Sequence, residues 1–242
     1  MTGVFRSTRI FNWIIRLCFA VGILLTVASL WRWGAVEVRG RFEEVFFLTV
    51  VGVVWLAIST KIFPWLGLSI SDDVVERRNV GALIALCGAI LSLSIIFAAG
   101  NLGEGPSYWE NVFSVGLGTV SLFVLWLLVE IGGRVSISIA EERDVASGIR
   151  LGGFLLAAGL IIARAIAGDW HSEAATVHDF FHDGWPVLIV CLIAIFTERF
   201  LSPTLVRPLS PWAGFGLLPA IIYLMSAIAW MIHLGRWEGM PR

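Results

Sequence analysis

The strongest constraint on this chain is a sentence that it spells twice. Residues 69–100 read SISDDVVERRNVGALIALCGAILSLSIIFAAG, a charged segment ending in Asn79 that runs into apolar residues closing on Gly100. Residues 136–168 read SISIAEERDVASGIRLGGFLLAAGLIIARAIAG, with the same order of parts. An apolar run of about 20 residues is the length an α-helix needs to cross a bilayer core. Five further blocks of similar character lie at about 10–33, 45–65, 112–131, 185–201 and 213–234, so the sequence predicts seven spans. With 58% apolar and only 14% charged residues, against roughly 25% charged in soluble domains, the chain suits lipid better than a soluble core. A net charge of −1 excludes a basic nucleic-acid surface.

The predicted fold is therefore all-α and polytopic, with about seven transmembrane helices in parallel-repeated two-helix hairpins. Gly34, Gly100, Gly168 and Gly235 each close an apolar block at intervals of about 67 residues. Ser69-Ile70-Ser71 matches Ser136-Ile137-Ser138, and Glu76-Arg77-Arg78-Asn79-Val80 matches Glu141-Glu142-Arg143-Asp144-Val145. Because each unit holds two helices, successive copies share one orientation, which is a parallel repeat. Residues 1–40 read as an N-terminal anchor helix rather than a cleaved signal, because Trp13 and Arg16 interrupt its start. Residues 41–170 form two tandem units, and 171–242 a third, divergent one in which Pro203, Pro208, Ser210 and Pro211 replace the charged segment.

Charge placement predicts the orientation. Arg6, Arg9, Lys61, Arg77, Arg78, Arg134, Arg143, Arg199 and Arg207 fall on one side of the predicted membrane. The other side has Arg39, Arg41, Arg236 and Arg242, and its long loops 101–111 and 168–184 have no Lys or Arg. The positive-inside rule then puts the N-terminus in the cytoplasm and the C-terminus outside. Most of the twelve Trp residues sit near block edges, where an indole keeps its N–H wet and its ring in lipid; Trp55 and Trp126 lie deeper. Cys18, Cys87 and Cys191 each lie inside an apolar block and form no CxxC, so no disulfide framework is expected.

The two full copies resemble the bacterial inner-membrane family catalogued as domain of unknown function 350. The residues that carry the resemblance are Asn79-Val80-Gly81-Ala82 through Gly100, and Asp144-Val145-Ala146-Ser147-Gly148 through Gly168. The likeness covers about residues 45–169, and the flanking helices depart from the family's four-helix form. It implies an inner-membrane location and tandem two-helix units, carries over no catalytic residue, and suggests one partner, a cytoplasmic envelope-stress protein of the phage-shock type.

Four readings of particular residues follow. Small residues at helix spacing, Gly81 with Ala85 and Gly153 with Ala157, are expected to pack one copy on the next, or to serve a homo-oligomer through the same faces. Ionisable groups inside spans are costly and default to functional candidates. Arg16 and Arg150 each lie 18 residues before a closing glycine, and Glu130 and Glu198 occupy similar places near Arg134 and Arg199. These four either line an ion or proton entrance or snorkel to the cytoplasmic interface and pair there. Arg164 is within reach of Asp169. Asp72, Asp73, Glu76, Arg77 and Arg78, with Glu141, Glu142 and Arg143 as far as Asp144, form a candidate docking surface for a cytoplasmic partner.

The outer loop DWHSEAATVHDFFHDGW places His178 and His182 at i and i+4 if residues 173–182 are helical, with His171, Asp179 and Asp183 nearby. That pattern is weakly compatible with a divalent metal, and an interfacial amphipathic segment explains the same letters. No nucleophile motif, P-loop or dinucleotide fingerprint is present, so an enzyme is not expected. The sequence favours a membrane scaffold or partner-binding component over an oligomeric ion or small-solute channel, because its midplanes are almost wholly apolar.

Overall fold

A computed structural model describes residues 2–203 and 211–237, with side chains from Arg9 onward. Arg207, Pro208, Ser210 and Arg242 lie outside the described residues, as does the side chain of Arg6. The described residues are helical throughout, with no strand: α1 (Thr2–Trp33), α2 (Phe42–Ser59, continued by a 3-10 segment Thr60–Leu66), α3 (Val80–Ala99), α4 (Tyr108–Gly133), the short α5 (Val135–Ala140), α6 (Val145–Ile166), α7 (Glu173–Gly184), α8 (Pro186–Leu201) and α9 (Leu218–Leu234). Wide π-turns, Ile70–Glu76 and Trp212–Leu217, lead into α3 and α9.

Six of these helices are long and apolar enough to cross a membrane. The seventh span expected from the sequence is not straight. Its helix α8 is bent by 48° from α7, and the pair together reaches the length of a span. Pro186 opens α8 at its first position, where the missing N–H costs nothing, and so allows the bend.

The start of each long core helix is written locally. Asn79 caps α3 by accepting from the Ala82 amide at 3.1 Å, and Asp144 caps α6 by accepting from the Ser147 amide at 3.0 Å. Each cap follows an arginine in the left-handed region, Arg78 (φ 53°) and Arg143 (φ 54°), which turns the chain sharply out of the preceding charged segment. Ser107 and Glu110 start α4 with a reciprocal capping box.

The helices stack in two rows. One row is α1, α3, α6 and α9; the other is α2, α4 and α8. Within each row, residues 64 to 72 positions apart touch. Gly81 lies on Gly148, Gly88 on Gly152, and Ser92 on Gly159, so α3 and α6 run side by side in the same direction. Gly22 meets Ser94 between α1 and α3, and Gly153 meets Ala220 between α6 and α9. The second row is joined by Trp55, whose indole donates to Thr119 at 3.0 Å, and by Arg199, whose Nε donates to the Gly132 carbonyl at 2.8 Å. Ala85 meets Gly152, so the expected intramolecular use of Gly81, Ala85 and Gly153 is what the fold shows, and Ala157 is fully buried on α6.

Burial follows from that order. The inner helices α3 and α6 are mostly enclosed, whereas α1, α2 and α9 expose faces of Leu24, Phe46, Val54, Met225 and Ile232. Such faces would be an aggregation hazard in water and are ordinary against hydrocarbon. All three cysteines are free.

In lipid the helices gain little from hydrophobic burial, so close backbone approach and van der Waals contact carry their association. A Cβ added at Gly88 would stand 2.5 Å from the Gly152 carbonyl oxygen and 2.7 Å from its Cα, and neither backbone atom can step aside cheaply. Gly88→Leu is thus expected to destabilise the protein by about 1–3 kcal/mol or more, seen as a lower unfolding midpoint in mixed micelles. Gly116→Ala, whose Cβ would meet only Trp55 at 4.0 Å, is expected to leave that midpoint unchanged.

Candidate functional site

The most concentrated chemistry lies where the start of α6 meets the end of α8 and the turn before α9. Arg150 sits in the second turn of α6, and its side chain is 1% exposed. Its guanidinium holds Glu198 in a fork, Nε to Oε1 at 2.7 Å and Nη2 to Oε2 at 2.8 Å. Nη1 donates to the Phe215 carbonyl at 2.6 Å, and Nη2 also reaches the Ser147 hydroxyl at 2.8 Å. Asp144 completes the cluster at 3.9 Å from Nη2 and is itself 2% exposed. The spacing Asp144, Ser147, Arg150 puts all three on one face of the first turns of α6.

The two candidate carboxylates therefore part company. Glu198 pairs with Arg150, not with the adjacent Arg199, which is spent on Gly132 of α4. Glu130 is half-buried and folds the end of its own helix, accepting from the Ser136 amide at 2.9 Å and hydroxyl at 2.6 Å. Its neighbour Arg134 takes the left-handed conformation (φ 51°) that ends α4. Arg16 is exposed on α1 and joins none of these groups.

Arg150 and Glu198 thus pair across helices, one of the arrangements the sequence allowed, and do so buried rather than extended to a surface. Helix α6 is enclosed by α3, α4, α8 and α9, so no open surface leads Arg150 to the interface. Two charges taken out of water need close geometry and further hydrogen bonds, and both are present here. The guanidinium gives four of its five N–H bonds to these acceptors and the carboxylate is held at both oxygens, so the pair is occupied within the protein. The cluster is built as a clamp of three helical segments.

The charged turns divide in the same way. Asp73, placed on the docking surface by the sequence, is 6% exposed and holds the turn before α3. It accepts from the Ser69 amide at 2.7 Å and from Arg77 at 3.2 Å. Asp144 is a buried cap, so it too leaves the docking set. Asn79, also buried, donates its amide to the Ile139 carbonyl of the following hairpin. Asp72, Glu76, Arg77, Glu141, Glu142 and Arg143 remain exposed, and Arg78 is half-buried.

At the opposite end, residues 173–184 are helical as the histidine spacing required, and the rings of His178 and His182 stack at 6.1 Å. Each is engaged by its neighbour, His178 Nδ1 with Asp179 at 3.1 Å and His182 Nδ1 with Asp183 at 2.9 Å. Among the described residues no three His, Cys, Asp or Glu side chains converge on a metal position, and His171 does not join the pair. Arg164 meets Asp183 at 3.5 Å rather than Asp169, whose carboxylate accepts from the Glu104 amide at 2.9 Å and ties the loops after α3 and α6 together.

Sequence reasoning missed Asp144 and Ser147 as partners of Arg150, although their i, i+3, i+6 spacing is a signal that could have found them. The Phe215 carbonyl was not legible, because no side chain announces it. Removing one partner of the pair strands a buried charge, so Arg150→Met or Glu198→Leu alone is expected to cost about 3–5 kcal/mol. The double variant is expected to recover most of that loss, measured as unfolding midpoints of the four proteins under one set of conditions.

No curated protein and no solved structure matches the chain. The family model described as Domain of Unknown Function (DUF350) matches residues 38–166, from just before α2 to the end of α6. That segment covers more than half of the sequence and contains both capped core helices; the chain belongs to this family.

Proposed function

We propose that the protein is a non-catalytic inner-membrane scaffold, built of a repeated two-helix unit, that presents a charged cytoplasmic face to a protein partner. The observation that carries this reading is the contrast between its middle and its end. Through the middle, α3 and α6 are packed backbone to backbone, and the residues buried there are chiefly Ala, Leu, Ile and Gly. A conduction pathway needs polar groups or a broken helix at that depth. The polar side chains enclosed there, Ser92 and Ser94, donate to the Gly88 and Ile90 carbonyls of their own helix.

At the end carrying Asn79 and Asp144, the two charged turns are held by the same device, a left-handed arginine followed by a capping Asn or Asp. They project Asp72, Glu76 and Arg77 from one turn and Glu141, Glu142 and Arg143 from the next. Rigid turns with mixed, solvated charge suit recognition of a polar protein surface, with electrostatics setting register and on-rate. The positive-inside bias supports a cytoplasmic placement of these turns, with the C-terminus outside. The family resemblance favours an envelope-stress protein as the partner.

Two measurements test the reading. Proteoliposomes of the wild-type chain are expected to hold a proton or potassium gradient as long as empty vesicles do; flux above that background would replace the scaffold with an oligomeric channel. Alanine at the six exposed charged positions is expected to abolish cross-linking of the cytoplasmic partner, each substitution moving stability by no more than about 0.5 kcal/mol except Arg77→Ala, which frees buried Asp73, and Arg143→Ala, which alters a left-handed turn residue. Cross-links that survive all six substitutions would remove these turns as the docking surface.

A further inference from the structure

A cavity of about 200 Å³ opens near the far end of the first row of helices. Its walls come from four helices at once: Leu25 and Ser29 of α1, Ile95 and Ala98 of α3, Ala163 of α6 and Met231 of α9. It lies among α1, packed on α3, and α9, packed on α6.

The lining is mostly carbon, and its polar side chains are Ser29, Trp33, Arg164 and Trp237. Arg164 reaches the cavity with its side chain 9% exposed. Each of its nitrogens makes one long contact: Nε with the Gly235 carbonyl at 3.4 Å, Nη2 with the Arg236 carbonyl at 3.4 Å, and Nη1 with Asp183 at 3.5 Å. A guanidinium has five N–H bonds, so two remain to donate. Trp237 also lines the cavity, and its indole N–H is buried without a hydrogen-bond partner.

Water suits only the end of the space beside Arg164 and Trp237, since an ordered water needs two to four polar partners; the carbon-lined remainder is of the kind that stays dry and takes up hydrocarbon, as apolar cavities of about 150 Å³ take up benzene. The site thus combines an acyl-sized apolar slot, an incompletely used cation and an unanswered donor, beside helices whose outer faces meet lipid. We propose that it is a phospholipid site. A segment of one acyl chain fills the slot, the phosphate takes the two free N–H bonds of Arg164, and a lipid oxygen accepts from the Trp237 indole. Trp33, which also lines the cavity at the end of α1, stands at the level where indoles meet headgroups. The site requires only that the chain lie in a bilayer and is independent of the docking role proposed above.

The test is native mass spectrometry of the full chain released from nanodiscs of equal phosphatidylglycerol and phosphatidylcholine. The wild type is expected to retain one lipid per chain, with phosphatidylglycerol favoured about tenfold. Ser29→Phe puts a ring into the slot from α1 while leaving Arg164 and its partners unsubstituted, and is expected to cut retention of both lipids at least fivefold at an unchanged unfolding midpoint. Trp237→Phe keeps the ring and removes the donor, and is expected to weaken retention about threefold. Arg164→Gln is expected to keep a lipid but lose the preference for phosphatidylglycerol. A wild-type chain that retains no lipid overturns the proposal. So does a Ser29→Phe protein that retains as much as wild type, or an Arg164→Gln protein with the preference intact. Saturation by inorganic phosphate with no lipid retained would also overturn it.

Discussion

The structure depends on how closely two helical backbones can approach in a solvent that does not push them together. Hydrocarbon gives apolar side chains no reason to leave it, so α3 and α6 adhere through the contact that glycine permits. Gly81 on Gly148 and Gly88 on Gly152 bring main chain onto main chain, and the two helices become one core with no room between them. Helices α1 and α9 attach to the outer flanks of that pair through the same kind of contact, Gly22 with Ser94 and Gly153 with Ala220. The second row, α2, α4 and α8, covers one side of it.

Enclosing α6 changes what its charges can do. An arginine on a helix that faces lipid extends to the interface and remains hydrated. Arg150 has other helices on every side and satisfies itself within the protein, on Glu198, Ser147 and the Phe215 carbonyl. The neighbouring joint is made differently: there Asn79 spans to the Ile139 carbonyl with a neutral amide, and Ala85 occupies the place that corresponds to Arg150. A short polar cap suffices where the incoming segment lies close. A long cation with a carboxylate partner is used where it must also gather the end of α8 and the wide turn before α9.

The same packing gives the two ends of the molecule different characters. At the capped end, the charged turns are pinned by Asp73, Asn79 and Asp144, and their remaining charges face outward as a preorganised surface. At the other end, α1, α3, α6 and α9 leave a largely apolar slot beside Arg164, for which a phospholipid is the proposed occupant. Between these ends the interior is filled, which favours a protein that holds and recognises over one that conducts.

The sequence by itself determined the elements. Apolar runs of bilayer length and closing glycines are local signals, and they located the spans and the family-like core; the caps at Asn79, Ser107 and Asp144 are equally local but were not read from the sequence. It also identified Gly81, Ala85 and Gly153 as packing residues, because small side chains at helical spacing have few other uses in lipid. What it could not decide was which neighbour each ionisable group would meet. Arg150, Glu198, Glu130 and Arg16 share nearly the same depth and local context, yet one pair is buried, one carboxylate caps a turn and one arginine is exposed. Depth is a property of position along a helix, which a sequence records. The face that a side chain presents, and the helix that covers it, arise only when residues some 48 to 72 positions apart are brought together, as Arg150 and Glu198 are, and only the tertiary structure decides that.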